Sequence, residues 1–257
     1  MTKIFAVTNQ KGGVGKTTTC VNLAASLVAT KRKVLVIDMD PQGHATLGSG
    51  FDKQSLNSSI YDALLGEASI KEVTLAADPG GYDLVAANVD LAGAEVHLLD
   101  LPQRERRLAD ALAEVRKDYD FILIDCPPSL NLLTINALTA ARGVLVPVQC
   151  EYYALEGLTS LLATLKRIAG GVNPGLEITG ILRTMYDPRN SLTRDVSKQL
   201  LDYFGDQVFG TVIPRNVRLA EAPSYGMPVL SYDAKSKGSL AYLALAGEIL
   251  RRTSISE

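Results

Sequence analysis

The chain has 257 residues, 47% of them apolar and 21% charged, with a formal net charge of -2; it is long enough to bury a core in one α/β domain, and its balance excludes a polycation built wholly for polyanions. Cys20, Cys126 and Cys150 lie far apart with no C-x-x-C pair, which argues against a zinc ribbon or a disulfide framework and suits a reducing, cytoplasmic compartment. No run approaches the roughly 18 apolar residues of a bilayer span, and the first strand begins too early to leave space for a signal segment.

That strand, Ile4 to Val7, hands over to the stretch Lys11-Gly12-Gly13-Val14-Gly15-Lys16-Thr17-Thr18. From near Thr17, Cys20, Val21, Leu23, Ala24, Leu27 and Val28 recur at helical spacing up to Thr30, and Lys31, Arg32 and Lys33 suit the negative end of that helix. Val34 to Ile37 is continuously apolar and reads as a buried parallel strand, stopped by Pro41 so that Asp38 and Asp40 stand at the ligand edge of a sheet. Between Gly43 and Asn88 the signal is weaker: Gly48-Ser49-Gly50 reads as loop, Ile60 to Leu65 as a short helix and Tyr82 to Ala86 as a strand. Arg104 to Lys117 reads as one charged helix with Leu108, Ala111, Leu112 and Val115 on its inner side, and Phe121 to Ile124 is a strand leading into Asp125-Cys126-Pro127-Pro128-Ser129.

The pattern continues with a helix over Leu132 to Ala141, a strand over Val144 to Val148, a helix over Leu158 to Ile168 and a strand over Ile178 to Leu182. Arg194 to Phe204 is helical, Thr211 to Ile213 a brief strand and Leu240 to Leu250 a closing helix. The order reads βαβα throughout, with no repeat or long linker. A single domain over residues 1–257 is therefore expected: α/β, with a doubly wound, mostly parallel sheet and helices on both faces.

Glycines placed where a strand becomes a helix let the backbone turn successive N–H groups inward, so Gly12, Gly13 and Gly15, with Val14 between, form a cradle for phosphate. The helix N-terminus adds a partial positive charge, Lys16 a full one, and the Thr17 hydroxyl, followed by Thr18, is placed to ligate magnesium. This is a P-loop-like pattern in which Gln10 stands where the first glycine belongs. Asp125, after four apolar residues, has the position of a magnesium-holding carboxylate, direct or through water. Asp40 is the expected activator of the attacking water, with Lys11 and Lys16 as the other catalytic side chains. Asp38 is either a magnesium partner at one remove or a structural acceptor for loop N–H groups.

The segments Lys11 to Thr18, Asp38 to Gln42, Phe121 to Ser129 and Ile213-Pro214-Arg215-Asn216-Val217-Arg218 span nearly the whole chain, and together they resemble the ParA/Soj chromosome-partitioning ATPases, whose deviant Walker A motif carries a second lysine. The resemblance implies bound ATP and Mg2+, and an ATP-bound homodimer in which Lys11 crosses to the partner's phosphates and Gly12 lies at the closest approach. It also implies that Pro214 and Asn216 hold the adenine. Two lysines five apart on one tight loop need not reach the same phosphate, which makes the outward reading of Lys11 physically sensible.

The same resemblance implies binding of the dimer to nonspecific double-stranded DNA, localisation on the nucleoid, and slow hydrolysis stimulated by a ParB/Spo0J-type centromere-binding protein. Residues 180–257 carry 10 basic and 8 acidic side chains, and Arg189, Arg194, Lys198 and Arg218 are the phosphate-contact candidates there. A MinD-like or cargo-positioning regulator is the alternative. The end Arg251-Arg252-Thr253-Ser254-Ile255-Ser256-Glu257 has too few apolar residues for a membrane-binding amphipathic helix, so no membrane partner is expected. The early first strand argues against a preceding operator-reading helix-turn-helix, and the cysteines against an iron–sulfur cluster. His44 falls where close relatives are expected to have asparagine, and no function attaches to it.

Overall fold

Alternation along the strands decides how this sheet is covered. In β1 (Lys3–Val7) the side chains of Ile4 and Ala6 join one buried cluster while Phe5 and Val7 join the other. β2 (Val34–Asp38) does the same with Leu35 and Ile37 against Val34 and Val36. Strands apolar on both sides need helices on both sides. The computed structural model, which describes residues 2–254, supplies them.

In chain order, β1 leads to α1 (Lys16–Ala29), then β2, α2 (His44–Gly48), α3 (Ile60–Leu65), β3 (Thr74–Ala77) and β4 (Tyr82–Val85). α4 (Ala94–Leu99), α5 (Arg107–Ala111), β5 (Phe121–Asp125), α6 (Leu132–Ala140), β6 (Gly143–Gln149) and α7 (Ala154–Ala169) follow. The chain closes with β7 (Glu177–Tyr186), α8 (Ser191–Phe204), β8 (Val208–Pro214), α9 (Val217–Glu221), α10 (Val229–Tyr232) and α11 (Lys237–Ser254). Residues 255–257, the last of the stretch read above as unsuited to membrane binding, lie outside the described residues; among those described, no helix is long and apolar enough to cross a membrane.

The eight strands lie in the order β3-β4-β2-β5-β1-β6-β7-β8. All neighbours are parallel except β3 and β4. α1 and α11 supply the cluster on one face, and α6, α7 and α8 that on the other. Registers Val7↔Asp125 and Asp38↔Asp125 bring the carboxyl ends of β1, β2 and β5 side by side, the usual ligand edge of an open α/β sheet.

Three expectations need correction. The alternation is not βαβα throughout, because β3 and β4 form an antiparallel hairpin at the sheet's edge across an Asp78-Pro79-Gly80-Gly81 turn. The predicted helix over Arg104 to Lys117 is only α5 followed by 3-10 turns at Leu112–Glu114 and Arg116–Asp118. Its start is set from outside: Asn136 of α6 accepts from the Leu108 N–H at 3.1 Å and donates to the Arg104 carbonyl at 2.8 Å. The stretch read as loop at Gly48-Ser49-Gly50 begins inside α2, which is anchored by Thr46 rather than by any apolar stripe. Beyond α2, Gly50 and Gly226 pack backbone to backbone, both at positive φ (92° and 63°); a Cβ built on Gly226 would lie 2.7 Å from the Gly50 Cα.

Candidate active site

The loop between β1 and α1 is shaped by its glycines and tied at three points. Gly13 and Gly15 hold φ of 73° and 89°, and Gly15 is the N-cap of α1, so the helix opens without a side chain over its free N–H groups. Asn9 donates to the Pro147 carbonyl at 2.7 Å and accepts from the Lys11 N–H at 3.0 Å, while Thr184 of β7 donates to the Val14 carbonyl at 2.8 Å. Around Gly12 and Gly13, a Cβ would meet nothing within 4 Å. That open space borders the helix N-terminus, where Lys16, Thr17 and Thr18 form the first turn of α1.

The two lysines diverge. Lys16 is 7% exposed and its Nζ donates to the Lys11 carbonyl at 3.3 Å. Burial lowers its pKa, an effect opposed by the charges of Asp125 and Asp40. Lys11 instead extends to Glu151, just beyond β6, with Nζ 2.7 Å from Oε2.

The carboxylates at the ends of β2 and β5 are separated in role by their partners. Asp38 accepts from the N–H and hydroxyl of Thr46, both at 2.8 Å, and from the Asp40 N–H at 3.2 Å; the Thr46 hydroxyl in turn accepts from the Ala87 N–H. Of the two readings of Asp38, its contacts match the acceptor that shapes the loop. Complete burial nevertheless raises its pKa to about 6. Asp40 is 8% exposed; its Oδ1 accepts from the Gln42 N–H at 2.9 Å, and Oδ2 has no hydrogen bond among the described residues.

Asp125 is fully buried, and among the described residues neither oxygen has a hydrogen-bond partner. Burial first, then the neighbouring Asp38 and Asp40 charges, push its pKa far above the carboxylate range, while the Thr17 hydroxyl and Lys16 pull the other way. An orphaned buried carboxylate next to a helix-terminal threonine is a poor arrangement for an empty protein and a good one for a hard divalent cation. The residues present fit magnesium.

At the far side, Pro214 ends β8 opposite Tyr186, and the Asn216 side chain caps α9 by accepting from the Leu219 N–H at 3.2 Å. A cavity of about 390 Å³ lies elsewhere, between α1, α2 and the segment at Pro223, with Thr17, Thr18, Asn22 and His44 in its wall. Of the expected DNA contacts, Arg189, Arg194 and Lys198 share α8 and the turn before it, all exposed; Arg189 is paired with Asp187 through both Nε and Nη2, and Arg194 donates to the Pro188 carbonyl. Arg218 stands apart on α9, between Glu221 at 2.8 Å and Asp233 at 3.3 Å. Asn9, Thr184 and Glu151 escaped the sequence reading, because none belongs to a spaced motif; only the three-dimensional fold brings them to the loop.

A phosphate loop at the centre of a mostly parallel sheet, with carboxylates at the ends of the next two strands to one side, β5 and β2, is the architecture of the P-loop ATPases. The family model described as AAA domain (AAA_31) matches residues 2–178. An uncharacterized protein of Pseudomonas putida is 62% identical over 252 residues, 98% of this chain and 96% of that one. The chromosome partitioning protein ParA of Caulobacter vibrioides is 50% identical over 252 residues, covering 97% and 94%. Among solved structures, cobyrinic acid a,c-diamide synthase from Mycobacterium smegmatis with bound ADP and magnesium superposes with a TM-score of 0.88 at 40% identity, covering 100% of this chain and 97% of the other. The chain belongs to the ParA/Soj family of chromosome-partitioning ATPases.

Proposed function

We propose that this chain is a magnesium-dependent ATPase whose ATP-bound form is a DNA-binding homodimer that partitions a chromosome or plasmid. The observation that carries this reading is the divergence of the two lysines: Lys16 sits inside the cradle and Lys11 reaches away from it to an exposed carboxylate. One loop with one inward and one outward ammonium is suited to two nucleotides, its own and a partner's.

In this reading Gly12 to Thr18 hold the phosphates through backbone N–H groups and the α1 terminus, and Lys16 balances charge that develops as the terminal phosphoryl group departs. Thr17 and Asp125 would hold magnesium, which would supply charge neutralisation at the phosphates. Asp40, with Oδ1 fixed by the Gln42 N–H, orients the attacking water and takes its proton on Oδ2. Pro214 and Asn216 receive the adenine. Lys11 leaves Glu151 for the partner's phosphates, and Gly12 permits that close approach. Hydrolysis removes the anion that Lys11 grips, so the dimer parts and releases DNA.

Arg189, Arg194, Lys198 and Arg218 contact the DNA backbone without reading sequence, placing the protein on the nucleoid. A ParB/Spo0J-type centromere-binding protein accelerates an otherwise slow hydrolysis. The test is sedimentation of the full chain with arbitrary duplex DNA in ATP, ADP or no nucleotide, at two salt concentrations. Salt-sensitive DNA binding and dimerisation in ATP alone are expected; equal behaviour in all three states refutes the reading.

A further inference from the structure

Arg183 is a buried cation with no counter-ion among the described residues. It lies in β7, 7% exposed, and among the described residues no carboxylate touches its guanidinium. Nη1 donates to the Ser197 hydroxyl of α8 at 2.8 Å, Nη2 donates to the carbonyls of Phe209 and Gly210 at 2.9 and 3.2 Å, the guanidinium carbon lies 6.0 Å from the centre of the Tyr186 ring, and among the described residues Nε has no hydrogen-bond partner. A charge held on neutral acceptors with one donor orphaned is costly to bury, and an apolar side chain of similar length would fill the place at lower cost.

What it does there is visible in the ladder between β7 and β8. The register runs Ile181↔Val208, Arg183↔Val212 and Tyr186↔Pro214, so β8 carries two extra residues on the way to Arg183's partner and β7 takes back one of them before Tyr186. Such irregularity leaves backbone groups without ladder partners and bends the strand. Arg183 takes two of the stranded carbonyls from one direction. From α11, Glu248 takes the N–H groups of Gly210 and Thr211, both at 2.9 Å, and Arg252 pairs with Glu248 while lying 4.4 Å over the Phe209 ring. That ring fills the space left by Gly180, where a Cβ would come within 2.3 Å of it.

The bulge is thus held on both sides, and the strand it bends ends at the Pro214–Asn216 loop. On the opposite face of β7, the adjacent Thr184 holds the Val14 carbonyl of the phosphate loop. Two successive residues of one strand therefore hold the phosphate loop on one face and, on the other, the bulge of β8, the strand that leads to Pro214.

We infer that Arg183 is a positioning residue for the base side of the nucleotide site: by pinning the bulge in β8 it sets where Pro214 and Asn216 come to rest relative to the phosphate loop. This rests on the proposed reading of that loop as the adenine seat. It touches no phosphate-binding group, so its effect is confined to ligands that carry a base.

The experiment measures Kd for Mg-ATP and for magnesium tripolyphosphate by calorimetry, in the full chain and in Arg183→Met, Arg183→Lys and Asn216→Ala. Arg183→Met is expected to weaken ATP roughly tenfold and leave tripolyphosphate within about twofold. Lysine cannot span Ser197 and both carbonyls, so Arg183→Lys shows the same selective loss and serves if the methionine variant does not fold. ATP affinity unchanged in both Arg183 variants, or equal weakening of both ligands, overturns the inference, the second result marking a general structural role. If Asn216→Ala binds ATP like the wild type while Arg183→Met loses it selectively, the adenine contact is misassigned to Asn216 and the positioning of the strand end stands.

Discussion

Lys16 donates to the backbone carbonyl of Lys11, while the Lys11 side chain is spent 2.7 Å from Glu151. The two ammonium groups of one eight-residue loop therefore serve different anions. An exposed ion pair of this kind contributes about 0–1 kcal/mol, so Glu151 is a resting place that a partner's nucleotide can outcompete. Lys11→Ala is expected to shift the thermal midpoint by no more than about 2 °C and to keep ATP binding in the monomer. ATP-dependent dimerisation is lost. Light scattering with and without ATP checks it, and a dimer of normal affinity in the variant refutes the outward role.

Asp40→Ala removes the carboxylate proposed to orient water without disturbing the phosphate cradle. Hydrolysis is expected to fall by about 10²-fold or more, while the ATP-bound dimer persists on DNA. Single-turnover phosphate release is the measurement, and a normal rate in this variant reassigns the residue.

Asp125 and Asp38 couple stability to pH in the ligand-free protein. Both have pKa values raised in the fold, Asp38 from 3.8 to about 6 and Asp125 in the same direction. The folded state therefore binds protons more tightly than the unfolded chain, and stability falls as pH rises from about 4 through 6 and beyond. Thermal midpoints are expected to be higher near pH 5 than near pH 7.5 without ligand, and Mg-ATP is expected to flatten the difference. Asp125→Asn relieves the buried charge and raises the ligand-free midpoint at pH 7.5 by several degrees, on the order of 1–3 kcal/mol, while losing stabilisation by magnesium with nucleotide. A lower ligand-free midpoint in this variant contradicts the assignment.

Arg189, Arg194 and Lys198 lie on one helix and its entry turn, and Arg218 lies elsewhere, held by two carboxylates. Replacing the first three with alanine is expected to weaken DNA binding across all sequences and to flatten the slope of log K against log salt by about 0.9 for each lost phosphate contact. Arg218→Ala alone should have a smaller effect. ATP binding stays normal in every case, and an unaltered salt slope in the triple variant excludes α8 as the contact face.

The phosphate loop and the strand-end carboxylates were legible because each is a local pattern: glycines at a strand-to-helix junction, or an aspartate after a run of apolar residues. The continuous apolar strands β2 and β5 announced a sheet covered on both faces for the same reason. β3 is hidden because Thr74-Leu75-Ala76-Ala77 is only four residues long and ends in two alanines, a residue type depleted in strands. α5 was overdrawn because its start is set by Asn136, which is remote in sequence and ordinary in type. Glu151, Thr184 and Arg183 act through contacts between strand ends or neighbouring strands, and no spacing rule reaches across such distances. The sequence allows two readings of Asp38, and only the positions of Thr46 and Ala87 separate them.

Gly50 and Gly226 touch where the segment following Asp40 meets the one following α9. A methyl group on Gly226 would act as a wedge between the segment that follows the residue proposed to orient water and the segment that follows the loop proposed to hold adenine. The two segments meet there backbone to backbone, with no side chain between them. A graded series of wedges at that one point would offer a mechanical means of loosening loading from turnover while leaving every ligand-contacting group intact.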